Sequence, residues 1–501
     1  MLPSGFLWGA SASGFQFEMG DPAGKYIDPN TDWYVWVHDV DNIAKGIVSG
    51  DLPERGIGYW EFYSEDHELA KELGFNTYRI GIEWSRIFPK STTKIEVEVK
   101  RDSYGLIEDI SIDESILSEL DRIANKEAIE YYRAIIKDIK EKGMRVFVCL
   151  NHFTLPLWIH DPIRARRTKL KEGPRGWVDE NTVVEFVKYV AYVAWKLGDL
   201  VDDWAIFNEP MVVAELGYTM PEAGFPPGVA DYGAYLKTLR NLALAHARAY
   251  DAIKRWDRVR ADPDSKASAY VGLIHNVIPV HPLFKERRED VQAAELLNYT
   301  HNKWIVDAIV KGGLDLNLDG KVEVTAPHMA NKLDWIGINY YTRMVVRARA
   351  KAPFFELVEG LGFACAPHSL SIEGRPTSDF GWEIYPEGLI EAIELMAVYK
   401  LPMIITENGI ADAEDKLRPG FIVAHIKKLE EAIERGYKID GYLHWALTDN
   451  YEWAKGFSMK FGLVEVDLKT KKRIRRKSAF IYKEIIENNG ITSRLEREYL
   501  R

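Results

Sequence analysis

Cysteine is nearly absent from this chain: its 501 residues hold two, Cys149 and Cys365. That count excludes a disulfide framework and a cysteine-built zinc site, and it points to the cytosol. Cys149 lies in the apolar run VFVCL and reads as a small buried hydrophobe. Glutamine is as scarce, with Gln16 and Gln292 alone. Few thermolabile amides beside 28% charged residues is a tendency of heat-adapted proteins. No apolar stretch reaches the ~20 residues a membrane helix needs, so no membrane role is expected. The opening MLPSGFLWGASASGF has no basic residue ahead of its apolar stretch and reads as a strand, not a secretory signal. Without a secretory route, the sequon Asn298-Tyr299-Thr300 carries little weight. Excess cation is lacking too. A net charge of -11 argues against nucleic acid as a partner, because phosphate backbones want clustered Lys and Arg. The one basic run, 469–477 (KTKKRIRRK), reads as a solvated helix start.

What the chain has is a large apolar content, 47%, and a repeating order. Short β-branched and aromatic runs fall at 6–13, 76–82, 145–152, 203–209, 270–277, 334–341, 403–408 and 440–446. Between them lie stretches of 3.6-residue period, clearest at 126–142, 182–197, 235–256, 387–399, 422–435 and 478–487. Gly74, Gly143, Gly198 and Gly436 follow such stretches, where helix C-caps favour glycine. Strands alternating with helices call for parallel strands and crossover connections. Eight such units predict an α/β fold, a single (β/α)8 barrel domain spanning 1–501. Two long excursions, about 90–125 and 347–380, are expected as βα-loop insertions, the second near the site mouth.

In such a barrel, functional groups sit at the C-terminal ends of the strands. Here the apolar cores turn polar and aromatic at those ends. Gln16 lies near the first, Glu83-Trp84-Ser85-Arg86 at the second and Asn151-His152 at the third. Asn208-Glu209-Pro210 closes the fourth, Asn339-Tyr340-Tyr341 the sixth, Glu407-Asn408-Gly409 the seventh and His444-Trp445 the eighth. Glu209 and Glu407 are about 200 residues apart, yet strands four and seven lie on different sides of a closed ring. Two carboxyls facing across a ring mouth suit displacement at a glycosidic carbon, where one attacks and the other protonates and then deprotonates. The acid/base needs a raised pKa and the nucleophile must stay ionised. Arg79 and Tyr341 are candidate partners for Glu407. The segment after strand eight supplies Trp445, Glu452, Trp453 and Phe461 within 17 residues, aromatic faces and a carboxylate suited to a pyranose. Gln16, His152 and Asn208 add neutral donors and acceptors.

At these residues the chain resembles glycoside hydrolase family 1, and within it the archaeal heat-stable β-glucosidases, β-galactosidases and β-mannosidases. FLWGASASGFQFE, YRIGIEWSRIFP, NHFTLPLW, FNEP, GINYYTR, ITENGIAD and YLHWALTDNYEWAKGFSMKFGL carry the resemblance in order from Phe6 to Leu463. The resemblance implies Glu209 as acid/base and Glu407 as nucleophile. It implies Gln16, His152, Asn208, Trp445, Glu452 and Trp453 around the non-reducing sugar. Arg79, Asn339 and Tyr341 correspond to groups around the nucleophile, and Phe461 to a wall of the site. It also implies a homo-oligomer, a tetramer. Many members have His-Trp-Asp-Leu-Pro where this chain has His152-Phe153-Thr154-Leu155-Pro156, so the histidine is kept while its neighbours differ. Members acting on 6-phosphorylated sugars replace the Glu-Trp pair. Glu452-Trp453 stands here, and a carboxylate would repel phosphate.

Other chemistries find no footing. His67-Glu68 lacks the second histidine of a metalloprotease, and no GxxxxGK[ST] loop exists. Gly360-Leu361-Gly362 does not open a helix after a strand, which removes a dinucleotide site. No cofactor and no metal are expected. The expected activity is hydrolysis of small β-glycosides or oligosaccharides, with glucosyl, galactosyl, fucosyl or mannosyl groups all open. A transglycosylase on the same site, a 6-phospho-β-glycosidase and a non-catalytic sugar-binding barrel remain the alternatives.

Overall fold

A computed structural model describes residues 2–351 and 354–500. Met1, Ala352, Pro353 and Arg501 thus lie outside it, the middle two within the expected excursion 347–380 and the termini within the expected span 1–501. Eight strands close a parallel barrel: β1 (Leu7–Ser11), β2 (Thr77–Gly81), β3 (Arg145–Asn151), β4 (Asp203–Asn208), β5 (Tyr270–Asn276), β6 (Trp335–Asn339), β7 (Met403–Asn408) and β8 (Ile439–His444). Each pairs with its sequence neighbours, and β1 closes on β8 through Leu7↔Gly441 to Ala10↔His444. Strands buried on both faces read as unbroken apolar runs, which is why all eight were visible in the sequence. Several expected strands end one or two residues early, because the polar and aromatic ends leave the sheet to face the mouth.

Helices Tyr59–Glu72, Lys126–Glu141, Asn181–Leu197, Tyr232–Trp256, Trp304–Lys311, Glu387–Ala397 and Arg418–Glu434 return the chain to the next strand, and Lys477–Glu487 follows β8. Their apolar faces pack on the outside of the barrel, making the main core. The barrel interior is filled by Phe147, Cys149, Ala205, Ile274, Trp335, Ile404 and Leu443, all buried. Cys149 is therefore an interior hydrophobe, as expected. Gly272 has its place because of Trp335: a Cβ there would lie 2.2 Å from the indole.

Three of the four expected cap glycines, Gly74, Gly143 and Gly436, have left-handed φ of 86°, 80° and 93°. Gly198 differs, with φ -62°. A Cβ there would come within 2.7 Å of both the Ala194 carbonyl and Asp257 Oδ1, so close approach, not handedness, requires glycine. Asn298 of the sequon is not a free acceptor either: its amide donates to the Val280 carbonyl and accepts from Asn302.

Excursion 90–125 folds as a hairpin, Glu98–Arg101 with Ile107–Ser111, and a helix, Glu114–Ile123, capped by Asp113. The second excursion adds a small sheet, in which Met344–Ala348 pairs with Val280–Pro282 and Phe355–Leu357. The basic run corrects the sequence reading. It crosses a hairpin, Val464–Val466 with Arg473–Arg475, and only its end starts the helix Lys477–Glu487. Several of its cations turn inward. Lys471 donates to the Gly56 carbonyl (2.6 Å), Arg473 pairs with Asp66 (2.8 Å) and Arg476 with Asp449 (2.8 Å). Their partners lie far off in sequence, where a local charge pattern cannot register them. Among the described residues, no helix is long and apolar enough to cross a membrane.

Candidate active site

The site forms where β2 to β4 and β6 to β8 end on one rim. Glu209 follows β4 in the left-handed region (φ 49°, ψ 55°) and caps the helix Pro210–Tyr218. The following proline disfavours the right-handed helical region at position 209. Glu209 N–H donates to the Ile274 carbonyl (2.8 Å), which holds the turn against β5. A non-glycine residue there is strained by of order 1–3 kcal/mol, and such residues cluster at functional sites. Phe153 (φ 71°) and Trp453 (φ 48°) share that conformation.

Glu407 sits in β7, its position paired across the sheet with Asn339 of β6. Its carboxylate is held from two sides. Arg79 Nη1 donates to Oε1 (2.7 Å), and the Tyr341 hydroxyl donates to Oε2 (2.7 Å). Arg79 is fully buried, and its Nη2 donates to Asn208 Oδ1 (2.7 Å). Asn339 Nδ2 donates to the same Asn208 oxygen (3.1 Å) and to Glu209 Oε1 (2.8 Å). Thr406 fixes the orientation of that amide by donating to Asn339 Oδ1 (2.7 Å). The two glutamates are thus joined by one chain of hydrogen bonds, Glu407–Arg79–Asn208–Asn339–Glu209.

Their electrostatics differ. Burial pushes the Glu407 carboxyl up from its ordinary value, while the Arg79 charge and hydrogen bonds from Tyr341, Arg79 and Asn339 push it back. Burial, then the charge of Glu407, pushes Glu209 up to about 8, against weaker pulls from Asn339, Arg79 and His301. The additional donors on Glu407 favour ionisation there over ionisation of Glu209. Glu452 is pushed up to about 8 by burial and by the same two glutamates.

The remaining expected residues gather around this pair. His152, buried beside Arg79 (3.3 Å) and Asn208 (3.3 Å), is held neutral by burial and by the Arg79 cation. Gln16 accepts from Ser13 (2.9 Å) and reaches Asn450 (3.2 Å) and Glu452 (3.4 Å). The His152 ring lies near-parallel to Trp445 (6.0 Å) and Trp453 (5.8 Å). Trp453 is lodged among Phe15, Trp33 and Phe153 with ring centres 4.7–5.8 Å away. Phe461 meets Tyr341 edge-on at 6.1 Å. Gln16, Arg79, His152, Asn208, Asn339, Tyr341, Trp445, Glu452, Trp453 and Phe461 are therefore joined by contacts around the two glutamates. Sequence reasoning missed Trp382, two residues past the second excursion. It packs against Tyr341 (5.5 Å) and Phe461 (6.3 Å) and stacks on Phe380 (4.3 Å). A cluster of Phe363, Phe380 and Trp382 in and just past a long insertion was the available signal.

Residues 1–100 and 121–491 match the family described as Glycosyl hydrolase family 1. The internal gap in that match, residues 101–120, falls inside the excursion 90–125. A β-galactosidase of Pyrococcus woesei is 52% identical over 100% of both chains. The solved β-glycosidase of the hyperthermophile Thermosphaera aggregans is 44% identical, with a TM-score of 0.92 over 99% of this chain and 98% of that one. A solved β-glucosidase mutant derived from a hyperthermophilic tetrameric structure is 45% identical, with a TM-score of 0.89 over 99% of this chain and 97% of that one.

Proposed function

The chain belongs to glycosyl hydrolase family 1, and from that membership we propose that this β-glycosidase is a retaining exo-enzyme removing terminal non-reducing β-D-glucosyl or galactosyl residues. Glu407 attacks the anomeric carbon as Glu209 gives its proton to the leaving oxygen. The bond to the leaving group breaks and a glycosyl ester of Glu407 forms. Water then attacks that carbon, Glu209 takes its proton, and Glu407 leaves as a carboxylate. Arg79, Tyr341 and Asn339 keep Glu407 ionised beforehand and receive its charge again at the end. Gln16, His152, Asn208 and Glu452 grip the sugar hydroxyls, while Trp445, Trp453 and Phe461 wall the ring. Glu452 disfavours a 6-phosphate, so the glycone is neutral. Fucosyl and mannosyl groups belong to the same reading. So do a homotetramer, in line with the tetrameric origin of one solved relative, and a cytosolic location for a chain with two free cysteines.

The observation that carries the reading is the asymmetric pair, with two firm donors on Glu407 and one hydrogen bond on Glu209. A 2-deoxy-2-fluoro β-glycoside with a good leaving group should add one glycosyl mass to the intact chain, located on the peptide carrying Glu407. Absence of the adduct, or its appearance on another residue, would overturn double displacement through Glu407.

A further inference from the structure

Behind Glu209 lies a histidine that double displacement by the two glutamates does not use. The helix Arg288–Leu297 widens into a π-helical turn, Asn298–Lys303, before the helix Trp304–Lys311. Such turns recur at functional sites. This one carries His301, buried against β5 and the helix Pro210–Tyr218. Both ring nitrogens face acceptors. Nε2 is 2.9 Å from the Asn276 carbonyl oxygen, and Nδ1 is 2.9 and 3.1 Å from the two oxygens of Glu215. A carbonyl oxygen only accepts, and a neutral imidazole has one N–H to give. Both contacts hold together when the ring carries both protons.

The position of that charge follows from the backbone. Asn276 is the last residue of β5, in register with Asn339, the donor to Glu209. Glu209 itself bonds β5 two residues earlier and caps the helix that carries Glu215. His301 therefore stands behind β5, the strand next to the one that ends in the acid/base.

We propose that His301, held as an imidazolium by Glu215 and the Asn276 carbonyl, is a positioning residue that stabilises the carboxylate Glu209 becomes once its proton has gone to the leaving group. This rests on the reading of Glu209 as the acid/base. The groups facing His301 are Glu215, Glu209 and the ring of His275 at 5.8 Å. Burial holds His275 neutral, its nitrogen being pushed down to about 3, so it adds no competing charge. Glu215 draws the His301 ring above its ordinary value against the cost of burial. Glu209 is faced by Glu407, Arg79, Tyr341 and Glu452 from the other strands. Burial and Glu407 alone would leave it too weak an acid and slow to stay ionised for the water step. A fixed cation held by Glu215 and the Asn276 carbonyl offsets them.

The test is the pH dependence of kcat/KM on a nitrophenyl β-galactoside for the full chain, His301→Gln and Glu215→Gln. In Glu215→Gln the amide can donate to Nδ1, which lets His301 be neutral. Should His301→Gln fail to fold, this second variant decides. The basic limb should move to higher pH in both variants by roughly half to one unit. In a Glu209→Ala background rescued with azide, His301→Gln should shift nothing. Folded variants with limbs coincident with the parent's, or a His301→Gln shift that persists without Glu209, overturn the proposal while leaving the acid/base intact. A parent-like basic limb in Glu209→Ala itself overturns both the proposal and the reading beneath it.

Discussion

Two groups of buried glutamates lie within a few side chains of each other, and they differ in one respect. On the rim, Glu209 and Glu452 are each pushed up to about 8, chiefly by burial. Beyond the ends of the first two strands, Glu18 is pushed up to about 7 and Glu83 to about 8, again chiefly by burial. The proton affinities match, and the hydrogen bonding does not. Glu18 accepts from Tyr132 (2.7 Å) on one oxygen and Arg86 (2.6 Å) on the other. Glu83 accepts from Phe15 N–H (2.8 Å) and from the Thr154 hydroxyl (2.5 Å). Among the described residues, Glu209 receives one hydrogen bond at its carboxyl and Glu452 one long contact from Gln16. A raised pKa alone marks burial. A raised pKa with oxygens left over marks a group that still has a bond to make.

That contrast can be broken from the rim outward. Glu407→Gln should lower kcat by roughly 10⁴-fold or more, the scale of losing a nucleophile, and lower the unfolding temperature, because buried Arg79 loses its counter-ion. Nitrophenyl glycoside hydrolysis together with calorimetry reads both. Glu209→Ala should lose about 10²- to 10⁴-fold on poor leaving groups, the usual span of general acid catalysis. It should lose far less on dinitrophenyl glycosides, and azide should accelerate it. For the parent enzyme kcat/KM should fall as pH rises through about 8, because the protonated form of Glu209 is the competent one. An unchanged rate with azide would take the acid/base role from Glu209.

Glu452→Ser should cost about 10- to 100-fold in kcat/KM on glucosides and galactosides, the worth of ~1–3 kcal/mol from two lost hydrogen bonds to the sugar. Unaltered turnover would remove Glu452 from the sugar site. Glu83→Ala, by contrast, should act on stability, losing ~1–3 kcal/mol by leaving Phe15 N–H and Thr154 unpaired. Its catalytic loss should be the smallest of the four. A loss larger than that of Glu452→Ser would erase the distinction between the two groups. Glu83 also has a pH signature. Its folded value, about 8, lies above the ordinary 4.5. Its contribution is therefore complete below about 4.5 and lost as pH rises through about 8. Thermal unfolding of Glu83→Gln followed between these limits should show a flatter slope than the parent.

Much of the site was legible in the order of residues, for a physical reason. Closing eight strands requires eight apolar runs, so the polar break at the strand ends marks the rim, although Trp84, Tyr340 and His444 among those strand-end residues pack toward the outer helices instead. The parts that escaped depend on partners distant in the chain. The run 469–477 looks solvated until Asp66 and Asp449 are seen to receive Arg473 and Arg476. Gly198 looks like a cap until the carboxylate of Asp257 is found against it. Trp382 follows an insertion whose path no period predicts. His301 looks like any helical histidine until both nitrogens meet acceptors from two other elements.

Residue type and spacing by themselves determined the barrel and the rim on which Glu209 and Glu407 stand, because apolar periodicity and strand-end polarity are local properties. Tertiary structure alone decided how each glutamate is hydrogen-bonded and which buried cations are spoken for. Those are differences in hydrogen bonding and charge between groups that only folding brings within a few ångströms.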